Sequence, residues 1–284
     1  MNQLEKVLFL WCYQVQTKRL SPNIRREICL YLPRCYRFIG VQDTSLAVYT
    51  LPGSHQVRIP LSHPFTPGTM HCWINPTNLL FVGSGSFFET APPFSDVHSL
   101  NTQDCTITTH PSLLQPRCRP GLVYMQGTVY VFGGGCGFAY FTSCEKFSIP
   151  RKSWSRIAEM KYARYLFTPV PHNCVIYLAD TCNNSGVLEA YHPASDTFEV
   201  VHKLLPSLSE ASLSFLQGDT LVVLSRTAFW NWEIGASDSS KRFLRMEKSV
   251  ASSCPPEVVG GKVYWLETQT GQLTCISLAD LKRK

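Results

Sequence analysis

Two different hydrophobic patterns divide the chain near residue 37. Before this point apolar residues recur three or four positions apart, which is typical of amphipathic helices. The second of these helices begins at Ser21, a good N-cap that Pro22 follows, and Pro33 ends it. From residue 41 to 278 helical spacing is absent, and short β-rich runs alternate with turns. We therefore predict a helical hairpin at residues 1–36 and an all-β domain at 37–284.

One short pattern recurs through the β-rich region: a polar or glycine turn followed by β-branched and aromatic residues. The central residues of its copies are Leu80, Val129, Ile176, Leu221 and Val263. The steps between them are 49, 47, 45 and 42 residues. In three units a strand–turn–strand pattern follows, with apolar residues seven positions apart, at Leu100/Ile107, Phe147/Trp154 and Tyr191/Phe198. Each unit therefore offers about four short strands.

A four-stranded unit of this size cannot bury both of its faces alone. In a radial arrangement, neighbouring units cover each other and only short edges remain exposed. The sequence therefore predicts a β-propeller of about five or six four-stranded blades. The count depends on residues 38–61 and 254–278, which make five blades if they share one sheet and six if each forms its own. A shared sheet would close the ring and remove an exposed edge.

The unit at residues 121–165 resembles a kelch repeat. The residues that carry this resemblance occur in the family's order: Gly133, Gly134, Phe147, Trp154, Met160 and Arg164. The next unit departs from it, because Ala179 and Asp180 replace the glycines and Phe198 replaces the tryptophan. The resemblance implies a kelch-type propeller that binds partners, although kelch propellers serve many purposes.

The second N-terminal helix resembles the opening of an F-box. The apolar positions of that motif correspond to Leu20, Pro22, Ile24, Ile28 and Leu32. The resemblance implies that these five residues contact a Skp-type adaptor of a cullin ubiquitin ligase. The first helix, with Leu8 and Cys12 four positions apart, is similar instead to the elongin-binding helix of a SOCS box. The alternative is a hairpin that only covers a face of the propeller.

Charge is distributed unevenly along the 284 residues, of which 44% are hydrophobic and 16% charged. Residues 1–40 hold seven basic and two acidic groups, so they carry +5 of the net +6. The remaining chain is nearly neutral and predicts no basic stripe for nucleic acid. No run resembles a membrane span or a cleavable signal peptide. We therefore expect a cytoplasmic or nuclear protein without nucleic-acid or membrane partners.

Catalytic and metal-binding motifs are not evident in the sequence. The twelve cysteines form no CxxC pair, and in a reducing compartment we expect buried thiols. The eight histidines form neither HxH nor HExxH. The glycine run at residues 133–137 lacks the Lys-Ser/Thr that a phosphate loop requires. We expect no cofactor, no metal and no enzymatic activity.

Aromatic residues recur in the loop after the second strand of three units. Radial repetition would place these loops on one face, and aromatic and arginine side chains dominate interface hot spots. The predicted partner-binding residues are Phe87, Phe88, Phe138, Tyr140, Phe141, Arg164, Arg226, Phe229, Trp230 and Trp232. For each of these residues the alternative is packing between blades.

Three functions remain open on the sequence. The first is a substrate receptor of a cullin-type ubiquitin ligase, whose N-terminal helices hold an adaptor and whose propeller loops hold a target protein. The second is a kelch scaffold or cytoskeletal interaction protein without a ubiquitin link. The third and most remote is a degenerate propeller enzyme. The sequence does not indicate the target or the oligomeric state.

Overall fold

The computed structural model describes most of the chain after residue 37. The described residues are 37–42, 45–50, 56–60, 69–84, 94–102, 104, 106–137, 139–179, 186–203, 212–225, 228–236, 239–243, 250, 252, 255–266 and 273–283. The predicted helical hairpin, with its F-box-like residues Leu20, Pro22, Ile24, Ile28 and Leu32, lies outside them.

The described strands pair with their neighbours in sequence as antiparallel sheets. The first sheet has three strands: β1 Arg37–Gln42, β2 Ser45–Thr50 and β3 Gln56–Pro60. Blade 1 consists of β4 Met70–Trp73, β5 Asn78–Ser84, β6 Phe94–Asn101 and β7 Ile107–His110. Blade 2 consists of β8 Gly121–Met125, β9 Thr128–Phe132, β12 Cys144–Ser148 and β13 Ser153–Ile157. Between β9 and β12 lies a hairpin of β10 Gly135–Cys136 and β11 Ala139–Tyr140.

The same order continues to the end of the chain. Blade 3 consists of β14 Val170–His172, β15 Val175–Ala179, β16 Val187–His192 and β17 Thr197–Lys203. Blade 4 consists of β18 Leu213–Gln217, β19 Thr220–Leu224, β20 Ala228–Glu233 and β21 Ser239–Phe243. Blade 5 consists of β22 Glu257–Val259, β23 Lys262–Leu266 and β24 Leu273–Ser277. The helix α1, Leu278–Arg283, follows and buries Leu278 and Leu281 against the core of blades 4 and 5.

The all-β propeller predicted from the repeat is confirmed, with five blades after residue 69. The sheet β1–β3 precedes them. Within the described part of the chain, β1–β3 pair with one another and β22–β24 with one another. The shared sheet on which the five-blade count was based is therefore not seen among these strands; the five blades all follow residue 69, and β1–β3 form a separate sheet.

The second strands of the central blades are almost entirely apolar because they are buried on both faces. In β9, Val129 and Val131 pack towards blade 1, whereas Tyr130 and Phe132 pack towards blade 3. In β15 alternate residues likewise pack against blades 2 and 4. Since successive strand residues point to opposite faces and each blade lies between two others, both sets must be apolar.

Tight turns join the first two strands of the blades. Gln126 and Gly127 connect β8 to β9 with φ values of 49° and 77°. Asn173 and Cys174 connect β14 to β15 with φ values of 47° and 64°. Positive φ at both central residues is the geometry of a two-residue hairpin turn, and glycine and asparagine tolerate it well. In the described ranges no helix is long and apolar enough to cross a membrane.

Candidate partner-binding site

In blades 1 and 2, a glycine at the end of the second strand lies against the loop that enters the next blade. Gly133 has φ +58°, and a Cβ at this position would lie closer than 3.0 Å to the carbonyl oxygen of Arg164. Gly83 has φ +65° and meets the carbonyl oxygen of Arg117 in the same way. These two contacts bring the loops at residues 111–120 and 158–169 close to the preceding blades.

A buried ion pair holds the first of these loops to blade 2. Arg117 Nη2 lies 2.7 Å from Glu145 Oε1, and both side chains are essentially inaccessible to solvent. Arg117 Nη1 also donates to the carbonyl oxygens of Gly133 and Ser143, at 2.7 and 2.8 Å. A buried guanidinium or carboxylate is strongly unfavourable without its charged partner and hydrogen bonds. Moving the loop away from the blade would separate these partners, so the ion pair holds the loop in place.

The carboxylate of Glu145 completes this attachment by binding the loop backbone. It accepts hydrogen bonds from the amides of Leu114 and Gln115, at 2.7 and 3.0 Å. Glu145, on the third strand of blade 2, therefore fixes the position of the Arg117 side chain and of the backbone at residues 114–115.

The same attachment recurs one blade later, between Arg164 and Glu189. These two side chains are fully buried and ion-paired. Arg164 Nη2 donates to the carbonyl oxygen of Val187 at 2.9 Å, and Glu189 Oε1 accepts from the amide of Lys161 at 2.9 Å. The arginines are 47 positions apart and the glutamates 44, which matches the blade repeat. We call each arginine–glutamate pair with its bound loop an inter-blade clamp.

Arg164 was predicted to border a partner-binding surface, and the structure corrects this. Its side chain has no solvent exposure and belongs to the second inter-blade clamp. A partner therefore has no access to its guanidinium in this arrangement.

The three aromatic residues predicted in a loop of blade 4 are also core residues. Phe229, Trp230 and Trp232 are 4%, 1% and 6% exposed. The physical reason is that they lie in β20, a strand, rather than in a loop. Trp230 and Trp232 pack towards blade 3 and Phe229 towards blade 5, so the packing alternative holds for them.

The other predicted contact residues divide into two groups. Tyr140 lies at the end of β11 and is 39% exposed. Phe141 is half-buried, and Arg117 Cζ lies 5.8 Å from the centroid of the Phe141 ring. The remaining four lie outside the described residues: Phe87, Phe88, Phe138 and Arg226.

Sequence reasoning missed other residues on the end of the blades where Tyr140 lies. Its ring lies 5.4 Å from that of Tyr165, whose hydroxyl accepts a 2.6 Å hydrogen bond from Arg119 Nη1. Leu114 and Tyr162, on the two clamped loops, are 49% and 39% exposed. The repeat of Arg117 and Arg164 at 47 residues was the available signal, because it marks where equivalent loops enter successive blades.

We call the set Leu114, Arg119, Tyr140, Tyr162 and Tyr165 the loop-face patch. Its loops all lie at one end of the blades, since the second-to-third-strand and blade-to-blade connections of an antiparallel meander emerge there together. It contains three of the four large hydrophobic side chains that are exposed in the described part of the chain. Arg119 is half-buried and forms no ion pair among the described residues, and its guanidinium lies over the Tyr165 ring, 5.9 Å from the ring centroid.

Burial controls the ionisable groups near the patch. It raises the pKa of the Tyr165 hydroxyl and of the Cys118 thiol above their ordinary values, with Arg119 opposing both shifts. Burial also raises the pKa of Cys144 to about 12. These groups are therefore neutral at physiological pH, and Arg119 is the charged member of the patch.

The cysteines depart in part from the prediction of buried thiols. Among the described free cysteines, Cys72, Cys118 and Cys144 are buried. Three others are exposed: Cys136, Cys174 and Cys275. They lie in the β10–β11 hairpin, a tight turn and β24, where the side chain faces outward. Among the described residues, no three histidine, cysteine or carboxylate side chains lie together in a way that suits a metal ion.

Comparison with known proteins agrees with this architecture. Residues 116–161 match the profile of the Kelch motif. They span most of the unit that resembles a kelch repeat in sequence. Blade 2 therefore carries a Kelch motif. The structure of YjhT aligns with a TM-score of 0.55 and 13% identity, covering 72% of each chain, and so shows a shared fold alone. No curated protein matches the chain.

Proposed function

We propose that this kelch-type propeller is a substrate receptor of a cullin-type ubiquitin ligase that binds its target through the loop-face patch. The coarser conclusion, a protein-interaction module, rests on the kelch motif and the propeller fold. The observation that carries the proposed site is the exposure of Leu114, Tyr140 and Tyr162 on the same end of the blades as Arg119.

The inter-blade clamps make this patch suitable for binding. Both loops that present it are fixed by buried ion pairs and backbone hydrogen bonds. A partner therefore does not have to order them, and less binding free energy is lost on association. Tyrosine and arginine are also the residue types that most often dominate interface energies.

The ligase part of the proposal rests on the sequence. Leu20, Pro22, Ile24, Ile28 and Leu32 match the apolar positions of an F-box opening. A predicted helix of this kind, N-terminal to a propeller with a Kelch motif, supports an adaptor bound by residues 20–32 and a target bound by the propeller. The proposed partners are a Skp-type or elongin adaptor with a cullin, and a target protein.

The test is quantitative affinity purification of the full chain from cells, with proteins identified by mass spectrometry. Ile24→Asp with Ile28→Asp is expected to remove adaptor and cullin but keep the target. Tyr140→Ala with Tyr162→Ala is expected to keep the adaptor and remove the target. Val258→Ala, which truncates the exposed hydrophobic residue outside the patch, is the matched control and should keep both.

The outcomes separate the functional alternatives. If neither adaptor nor cullin accompanies the intact chain, the ligase role is wrong, and a scaffold is the better description. If the target is lost equally with Val258→Ala, the loop-face patch is not its site. Circular dichroism of each purified variant distinguishes lost binding from lost folding.

A further inference from the structure

The outer edge of blade 2 is a cationic β-strand that no other described strand covers. β13 is the last strand of its sheet and pairs only with β12. Ser153, Ser155 and Arg156 are exposed along it, and Arg151 and Lys152 are exposed in the turn before it. We call β13 with this turn the cationic edge.

The cations of this edge are not neutralised within the described structure. The ion pairs among the described residues are formed by Arg117, Arg164 and two histidines. None of them includes Arg151, Lys152 or Arg156. Glu145 lies opposite Arg156 in the ladder, but it is buried and paired with Arg117.

Two carboxylates near the far end of the strand are engaged in hydrogen bonds. Asp196 accepts from the amide of Ala158 at 2.9 Å and from the Tyr191 hydroxyl at 2.9 Å. Glu159 accepts from the Thr142 hydroxyl at 2.8 Å. Negative charge therefore lies beyond the strand, and positive charge lies along it and at its start.

We propose that the cationic edge binds an extended acidic peptide segment of a partner protein as an additional strand of blade 2. The free backbone amides and carbonyls of β13 provide the ladder hydrogen bonds, as in other strand-addition complexes. Side chains of the added strand alternate between the face of Arg156 and the face of Ser155, where Lys146 of β12 lies opposite. Acidic residues on either face therefore meet a cation.

Charge argues against the two occupants that this chain itself offers. A second copy pairing through β13 would place Arg156 and its neighbours against the same cations, and like charges across strands are unfavourable. The N-terminal segment of residues 1–40 carries +5 and is repelled for the same reason. A polyanion such as a nucleic acid is attracted by the charges, but it does not use the backbone edge.

The experiment measures fluorescence anisotropy of a labelled nine-residue peptide in which glutamate alternates with valine. The full chain is expected to bind it, and Arg151→Glu with Lys152→Glu is expected to weaken binding at least about ten-fold. Lys203→Glu with Lys262→Glu is the matched control, because it makes the same charge change at exposed lysines of blades 3 and 5. The control should change the affinity less than about two-fold.

A second peptide tests the backbone pairing. The same sequence with alternate amides N-methylated keeps its charge but lacks ladder donors, so it should lose binding. If the methylated peptide or a single-stranded oligonucleotide of equal charge binds as tightly, the edge is a general polyanion surface and strand addition is wrong. Equal weakening by the control pair also overturns the proposal. Since Tyr140→Ala with Tyr162→Ala should leave peptide binding intact, this result is independent of the proposed target site.

Discussion

The carbonyl oxygen of Arg164 lies against the Cα of Gly133, in the space that any side chain at position 133 would need. The amide of Gly134 donates to the same carbonyl at 2.8 Å. The paired glycines that identify the kelch unit in sequence are therefore contact points between a blade and the loop that enters the next one. The side chain of Arg164 then continues into that next blade and pairs with Glu189.

Replacing Gly133 with alanine should destabilise the propeller markedly. The new Cβ would meet a backbone oxygen that cannot move without disturbing the clamp, and φ +58° is unfavourable for alanine. We expect the free energy of unfolding to fall by about 3 kcal/mol, from these strains together. Urea denaturation followed by circular dichroism measures this change.

Gly137→Ala is the matched control for that substitution. Gly137 has φ +57°, but a Cβ there meets no atom within 4 Å. It should therefore show only the backbone cost of about 1 kcal/mol. Equal losses for the two variants would mean that the contact with Arg164 contributes nothing.

Breaking one inter-blade clamp should cost more than breaking an exposed ion pair. Glu145→Gln leaves the buried Arg117 guanidinium without its counter-charge, for which we expect a loss of about 3–5 kcal/mol in unfolding free energy. Glu199→Gln removes the partner of His192 on the exposed side of blade 3, where about 0–1 kcal/mol is expected. Urea denaturation at pH 7 compares the two variants.

The double substitution Arg117→Gln with Glu145→Gln tests the cause of that loss. It removes both charges, and the two glutamine amides can still donate to or accept from the backbone groups that Arg117 and Glu145 bind, so it should be less destabilising than Glu145→Gln alone. If it is as destabilising as Glu145→Gln or more so, the orphaned charge is not the cause of the loss.

The fold could be predicted from the sequence repeat, whereas the exposure of single residues could not. The β-rich runs at steps of 42–49 residues predicted blades because each unit repeats the same local pattern. The sequence predicts an exposed Arg164 at a strand end, because no local pattern indicates that Glu189 of the next blade pairs with it. The aromatics of β20 were assigned to a loop because the loop after β19 is shorter than the equivalent loop of blade 2. Leu114 and Tyr162 lack a local signal, because their exposure depends on how the clamps hold their loops.

Truncation of Trp230 should affect stability rather than partner binding. Its indole is 1% exposed and packs between blades 3 and 4, so Trp230→Ala should cost about 3–5 kcal/mol in unfolding free energy. Tyr140→Ala, at a side chain that is 39% exposed, should cost less than about 1 kcal/mol. Thermal denaturation of both variants provides the measurement, and similar melting temperatures would contradict the placement of Trp230 in the core.

The thiols should differ in reactivity according to their burial. Cys144 is buried and its pKa is raised to about 12, so at pH 8 it carries almost no reactive thiolate. Cys136, Cys174 and Cys275 are exposed and should alkylate first. Iodoacetamide labelling of the native chain, read by peptide mass spectrometry over time, is expected to modify these three well before Cys144.

The same raised pKa predicts how stability depends on alkaline pH. The folded thiol of Cys144 keeps its proton up to about pH 12, while an unfolded thiol loses it near the ordinary value of 9. Between these two values the native state binds more protons, so stability decreases as the pH rises through this window. Cys144→Ala should reduce the decrease between pH 9 and 10.5, measured by urea denaturation beside the unmodified chain. Identical pH dependence in the two proteins would show that Cys144 does not contribute to it.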